Sequence, residues 1–503
     1  MLNKGKIEIK KVLVPLRPLD LSRCQTVNDI VLGMAACSFG ARHIGEVTNR
    51  LEGWFRSSLS PAVVYDGAEN SPLHQLLKAW REEGWVSGVY TSAEYVLPGG
   101  SKSGRHALVV GPYPERTAER LYAQAESMIF INQFGQCKPG LTRDGYFPNV
   151  VFADPRFVVP LINAALNGRL CSNPSTVRHF MKNLAEYGGM AEDVARSAET
   201  WRLMDQDPDC KIFLTLSGAM TAAQMSLLIT DMIDRFSGLC YVAATGALMC
   251  HGLVGGLGRH HYKYDPRHSD DALADECLNR ITDTIEPEEN LDHVEDAIRE
   301  VLQGQLFDGR EPIAPSVFHR EIGRYVAQRF PNHRAILRSA YERNIPVAVP
   351  AFVDSEIGND VFLENQKRQK EGKRRLIFDP ELDTAVLLQH ASSARRMGII
   401  SIGGGTSRNN TQNVAPLSEI INHRLDKKQR IVKFSYGSRI DPAPGYIGTM
   451  GSATFSEMIS WRKAHKDGIY AEIRADATMV WPFLLKYVLE CQEESGRRAP
   501  PRA

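Results

Sequence analysis

Gly398-Ile399-Ile400-Ser401-Ile402-Gly403-Gly404-Gly405 joins a short apolar run directly to three glycines. A run of that kind bounded by turn residues is the pattern of a strand buried on both faces, as in a parallel sheet covered by helices. Glycine has no Cβ, so three in a row at a strand end let the backbone approach a bulky ligand, a dinucleotide pyrophosphate above all. Tight turns use glycine as well, and the surrounding chain must decide between the two uses.

Outward from that stretch, β-rich and helical segments alternate regularly from residue 211 on. The patterns predict strands at 211–216, 239–244, 346–352, 397–402, 430–436 and 469–474, with helices at 219–235, 291–303, 316–329, 333–343, 380–396 and 476–490. Such alternation implies an α/β, Rossmann-like fold, a mostly parallel sheet with helices on both faces. Ligands of these sheets sit beyond the carboxyl ends of the strands. Ser217-Gly218, Thr245-Gly246, Asp354 and residues 403–405 all fall there.

Further on, residues 448–463 (GTMGSATFSEMISWRK) run from a Gly/Ser-rich loop to Trp461 and Lys463. An amine beside an aromatic wall loses hydration, its charged form is disfavoured, and it can attack an electrophilic carbon. Glu457, six residues earlier, is placed to orient that amine or exchange a proton with it. The same pattern also describes an ordinary amphipathic surface.

Before residue 173 the signals are different. Residues 7–16 read as a strand or extended arm. Residues 27–54 read as two helices broken near Ser38-Phe39-Gly40, and 177–204 have the same length and a break near Gly188-Gly189. Each block is followed by a strand, a helix and a strand: 62–65, 74–83 and 86–90 after the first, and 212–214, 220–235 and 239–242 after the second. This parallel suggests an internal duplication, with residues 1–172 either a degenerate copy or an unrelated N-terminal α/β extension. Residues 98–104 (PGGSKSG) are either a phosphate loop or a flexible polar loop. Domain boundaries are expected at 1–172, 173–490 and a disordered tail at 491–503. Residues 267–289 read as a solvated acidic excursion, and 367–375 as a basic surface loop.

At 503 residues the chain is long enough for two domains, and its 43% hydrophobic and 24% charged content is that of a globular protein. A net charge of +1 gives no footprint for nucleic acid. There is no eighteen-residue apolar run and no secretory leader, so a cytoplasmic protein without a membrane span is expected. Nine scattered cysteines without a Cys-x-x-Cys pair are expected to be reduced. Fourteen histidines without zinc-type spacing give no expectation of a metal.

Taken together, residues 399–405, 448–463 and 350–358 (PAFVDSEIG), with Ala244-Thr245-Gly246-Ala247 and His251, Gly258-Arg259-His260-His261-Tyr262, Asn344-Ile345-Pro346-Val347 and Ala475-Asp476-Ala477, resemble the deoxyhypusine synthase family. The resemblance covers roughly residues 174–490. It implies an NAD-dependent aminobutyl transferase. In such an enzyme the four-carbon unit of spermidine or a related polyamine passes through an imine on Lys463 to an amine acceptor, either a protein lysine or a small amine such as putrescine, the latter giving homospermidine. It implies that Trp461 packs on the donor's alkyl chain, that Glu457 and Asp354 anchor its cationic ends, and that Asn359 and Asn409 also face it. Ser217, Thr221, Thr245, Gly246, Gly403, Gly404, Gly405 and Asp476 would line NAD, and His251 would stand near the reacting centre. His251 reads equally as a satisfied core residue, and Asp476 equally as a helix N-cap. A homotetramer is implied too. Asn409, Asn359, Met450 and Gly218 replace a histidine, two aspartates and an asparagine of the eukaryotic enzymes. Those departures leave open a second class, a non-catalytic NAD-binding paralogue that regulates a partner subunit.

Overall fold

The computed structural model describes residues 9–57, 59–95, 106–113, 127–132 and 150–497. The chain divides into two compact units, one of Asp20–Ala198 and Ile473–Glu490, the other of Met1–Leu19, Glu199–Glu472 and Cys491–Ala503. This division does not coincide with the expected boundary at 172/173. Phe483 in the C-terminal helix Ala477–Glu494 packs against both Phe157 and Phe180, with ring centroids 6.3 and 6.4 Å apart, so residues on either side of 173 share one core with it. That helix also runs past 491, where a disordered tail was expected, and residues 498–503 lie outside the described residues.

In the first unit, β1 (Ala62–Tyr65), β2 (Gly88–Tyr90), β3 (His106–Val110), β4 (Ser127–Asn132) and β5 (Val150–Phe152) form a sheet of order β2-β1-β3-β4-β5. Every neighbouring pair is parallel. The helices Val27–Met34 and Phe39–Arg56 precede it. Thr26 and Asp29 form a reciprocal capping box on the first of them, and Val27, Ile30, Val31 and Met34 recur at helical spacing on its buried face. The helix Pro72–Glu82 joins β1 to β2, as the sequence implies. The loop candidate at 98–104 lies outside the described residues.

The second unit holds β6 (Cys210–Leu216), β7 (Leu239–Ala244), β8 (Tyr262–Lys263), β9 (Leu278–Ile281), β10 (Thr284–Pro287), β11 (Val347–Ala348), β12 (Arg396–Ile402), β13 (Phe434–Ile440) and β14 (Ala464–Ile473). Six of them make one sheet of order β11-β7-β6-β12-β13-β14. The pairings β11/β7, β7/β6, β6/β12 and β12/β13 are all parallel. Phe213, Tyr241, Met397, Ile399 and Phe434 line one face with Leu387 and Ala391 of the helix Glu381–Ser392. Ile212, Leu214 and Ile400 are equally buried. Both faces are therefore covered, which is why these strands read as continuous apolar runs.

Several segments depart from the sequence reading. β13 begins four residues later than expected, at Phe434, and runs on to Ile440. Residues 220–224 are turns, and the helix starts only at Ser226. Ile9–Val12 is a 3-10 turn rather than a strand, and Pro15 bridges Tyr262 beyond it. The acidic excursion at 267–289 contains β9 and β10, which with β8 form an antiparallel sheet. The basic stretch at 367–375 begins inside the helix Glu356–Lys370. There Arg368 is buried and its Nε donates to Arg374 O at 2.7 Å. Among the described residues no helix is long and apolar enough to cross a membrane.

Candidate active site

In chain order the six-stranded sheet runs 3-2-1-4-5-6, the dinucleotide-binding order, with its switch point between β6 and β12. Ser217 follows β6, and residues 403–405 follow β12. The backbones are pinned there: Ser217 N donates to Ile402 O at 3.0 Å, and Gly403 N to Ile440 O at 2.8 Å. Gly403 (φ +76°) and Gly405 (φ +70°) adopt left-handed conformations that favour glycine. A Cβ on Gly403 would collide with Ser217 Oγ, and one on Gly404 with Gly451 Cα. Gly405 opens the helix Gly405–Gln412, whose N-terminal amides face the glycine turn. Thr245 precedes the helix Gly246–Gly256 without a side-chain cap bond, and a Cβ on Gly246 would strike Ser355 Oγ. The ends of β7 and β11 therefore meet closely.

Two residues expected at a cofactor have structural partners. Thr221 is buried and its hydroxyl donates to Leu248 O at 2.9 Å. Asp476 belongs to the other compact unit. Its Oδ1 accepts from Thr478 N at 2.9 Å as an N-cap, and its Oδ2 accepts from Gly40 N at 2.8 Å. Burial raises its pKa in spite of those bonds.

The helix Gly405–Gln412 also forms one wall of a cavity of about 630 Å³, to which it contributes Arg408, Asn409 and Gln412. Met450, Glu457, Met458, Trp461 and Lys463 line it from residues 445–463. Thr454 caps the six-residue helix Phe455–Ser460 through Glu457 N. After it Arg462 turns left-handed (φ +59°), and Lys463 N donates to Met458 O at 3.0 Å. Lys463 O accepts from Phe434 N at 3.1 Å, which fixes the lysine backbone to β13. Its side chain turns inward, 9% exposed, and Nζ donates to Asn409 Oδ1 at 2.8 Å.

Burial lowers the pKa of Lys463, and the neighbouring Arg408 guanidinium lowers it further, while Glu457 opposes both. The net direction is downward. The expected cause, an aromatic wall, is not what the structure supplies. Trp461 is 63% exposed and stands at the rim, its ring centroid 5.8 Å from Nζ, and an indole face at that range favours the cation. Arg408, which the sequence reading missed, does that work from a buried position. It donates to Ala453 O at 2.8 Å and lies 5.5 Å over the Phe455 ring. An arginine three residues into a glycine-led helix carries no signal of its own in the sequence.

Lys463, Asn409, Glu457, Trp461 and Met450 are thus brought together, and the glycine turn adjoins them through Gly451. Asp354 and Asn359 are exposed and do not line this cavity. His251 does not line it either, since its Nδ1 is hydrogen bonded to Glu286. Burial opposes the His251 imidazolium, but the Glu286 carboxylate more than offsets this and raises its pKa.

The sequence profile of the deoxyhypusine synthase family matches residues 179–488. "Probable deoxyhypusine synthase 2" of Methanosarcina acetivorans is 26% identical over 325 residues, 65% of this chain and 90% of that relative. "Probable deoxyhypusine synthase 1" of Archaeoglobus fulgidus is 29% identical over 311 residues, 61% of this chain and 93% of its own. The "deoxyhypusine synthase-like protein" of Coxiella burnetii is 29% identical over 290 residues, 56% of this chain and 78% of its own.

Proposed function

The chain belongs to the deoxyhypusine synthase family, and we propose that it is an aminobutyl transferase that carries the four-carbon unit of spermidine or a related polyamine on Lys463. One observation carries this reading: a buried lysine whose Nζ is held by Asn409 in a cavity that shares a helix with the glycine turn at the sheet's switch point. Burial and Arg408 disfavour the ammonium and so shift the balance toward the free amine, the form that adds to an imine carbon. Asn409 aims the amine. Glu457 takes up and returns its proton and anchors one cationic end of the donor. Trp461 covers the alkyl chain at the rim. The four-carbon unit then leaves Lys463 for an acceptor amine, either a protein lysine or a small amine such as putrescine, giving homospermidine in the second case.

NAD is the cofactor of this reading: Gly405 starts a helix at the sheet's switch point, where free backbone amides suit a pyrophosphate. Residues 403–405, Ser217, Thr245 and Gly246 would hold it, with Thr221 bracing the backbone through its bond to Leu248 O. Bound there, it supplies the reversible oxidation of the donor's amine carbon. A cytoplasmic homotetramer completes the reading.

The exposure of Asp354 and Asn359 favours a second reading, a non-catalytic NAD-binding paralogue that regulates a partner subunit. Incubation of the full chain with NAD and a panel of amines, followed by mass spectrometry of the products, separates the two. The transferase releases 1,3-diaminopropane from spermidine and yields an aminobutylated amine. NAD binding without any product, across every donor and acceptor tried, rejects the transferase and leaves the regulator.

A further inference from the structure

His251 leads to a second cluster, built from three separate segments. It stands on the helix Gly246–Gly256, His261 on the residue before β8, and Glu286 on β10. One potential ligand atom from each lies within 4.8 Å of the other two. Glu286 Oε2 meets both rings, hydrogen bonded to His251 Nδ1 and 3.3 Å from His261 Nε2. The carboxylate is wholly buried and His261 is 3% exposed. His261 Nε2 nevertheless has no hydrogen-bond partner, because its approach to the carboxylate oxygen lacks the alignment a bond requires. A buried polar nitrogen in that position is costly unless something binds it.

We propose that His251, His261 and Glu286 bind one divalent transition-metal cation. Two imidazoles and one carboxylate form a donor set suited to zinc, cobalt or nickel, whereas calcium and magnesium favour oxygen-only sets. Three protein ligands leave a coordination position for water or a further ligand. Outer support is in place: Asn290 Nδ2 donates to His260 O at 2.9 Å and to Glu286 Oε1 at 3.5 Å, fixing the carboxylate and the chain beside His261. Glu356, whose Oε2 is buried without a hydrogen-bond partner, adds negative charge that reaches His251. The ligands are ten and twenty-five residues apart in sequence, too far to form a recognisable motif. A cation here would tie the β8–β10 sheet to the helix that follows β7.

The test uses the full chain without a histidine tag, stripped with a chelator and titrated with Zn(II) by calorimetry and with Co(II) by visible absorption. The expected result is one equivalent per chain, ligand-field bands from cobalt, and a thermal midpoint that rises with Zn(II). Glu286→Gln and His261→Gln, each checked for fold by circular dichroism, lose that equivalent. His465→Gln, at an exposed histidine, retains it. Asn290→Ala weakens binding by about 10–100-fold. A wild-type chain that binds neither metal overturns the proposal whatever the variants do, as do variants that bind as the wild type does. The cluster is then a hydrogen-bonded imidazole–carboxylate pair and nothing more. None of these readouts passes through Lys463, so the metal site and the transferase reading fail separately.

Discussion

With the two-residue edge strand β11 set aside, the six-stranded sheet runs β7-β6-β12-β13-β14, and in chain order this is the arrangement of the five-stranded sheet, β2-β1-β3-β4-β5. Each sheet also follows a pair of helices, Val27–Met34 and Phe39–Arg56 in one case, Val177–Leu184 and Met190–Gln206 in the other. The match runs parallel to the spacing of residues 27–54 and 177–204. Both sheets part at a switch, β6/β12 in one and β1/β3 in the other. At the first stand Ser217, three glycines and a helix leading to a lysine cavity. At the second, Gly111 follows β3 with φ +121°, but Tyr113 and Tyr95 are buried close by on Ala107, Val109, Met128 and Phe130. Burial there pushes the Tyr113 phenol's pKa up. Strand order is shared, and the volume of the residues after the strands is what differs: glycines at β6/β12, buried tyrosines at β1/β3.

The sharpest way to break this contrast is Lys463→Arg, which keeps the charge and removes the nucleophile. Turnover should fall by at least about 10³-fold, the scale on which nucleophile removal acts. Retained turnover would take the lysine out of the chemistry. On the other sheet, Tyr113→Ala should cost about 3–5 kcal/mol of stability in urea unfolding and leave NAD affinity unchanged. A loss of NAD affinity there would mean that the aromatic plug is no plug. Gly403→Ala strains a left-handed residue by roughly 1–2 kcal/mol and thrusts a methyl at Ser217, so the thermal shift given by NAD should shrink or vanish. Gly111→Ala should leave that shift intact.

The smallest effect is on pH dependence. If Lys463 reacts as proposed, it does so as the free amine, and because its pKa lies below the ordinary lysine value the rate should climb with pH and level off at that lowered pKa. Asn409→Asp places a carboxylate where Nζ now meets an amide oxygen. This favours the ammonium, raises the pKa, and moves the levelling point up by about one unit or more. A downward or absent shift would contradict the contact between the two side chains.

Which parts of this were legible in the sequence follows from burial. β6, β7 and β12 announced themselves because both their faces are covered. β11 is only two residues long although a longer run was expected, since Pro346 and Pro350 flank it and neither can donate to a ladder. β13 was misplaced partly because Arg439, which reads as surface, is buried against Glu472 at 2.9 Å. The β9–β10 hairpin was hidden by its charges, one of which, Glu286, turns inward to two histidines. In the site, Lys463 and the glycine turn were legible from local pattern and resemblance. Arg408 was not, because its effect on Lys463 depends on a tertiary approach that no spacing encodes.

Borohydride reduction of the full chain with NAD and spermidine, followed by peptide mapping, reaches the central claim most directly. The account predicts a stable four-carbon adduct on Lys463 alone, lost in Lys463→Arg and dependent on NAD. An adduct on another residue, or none with any polyamine while NAD still binds, would contradict it.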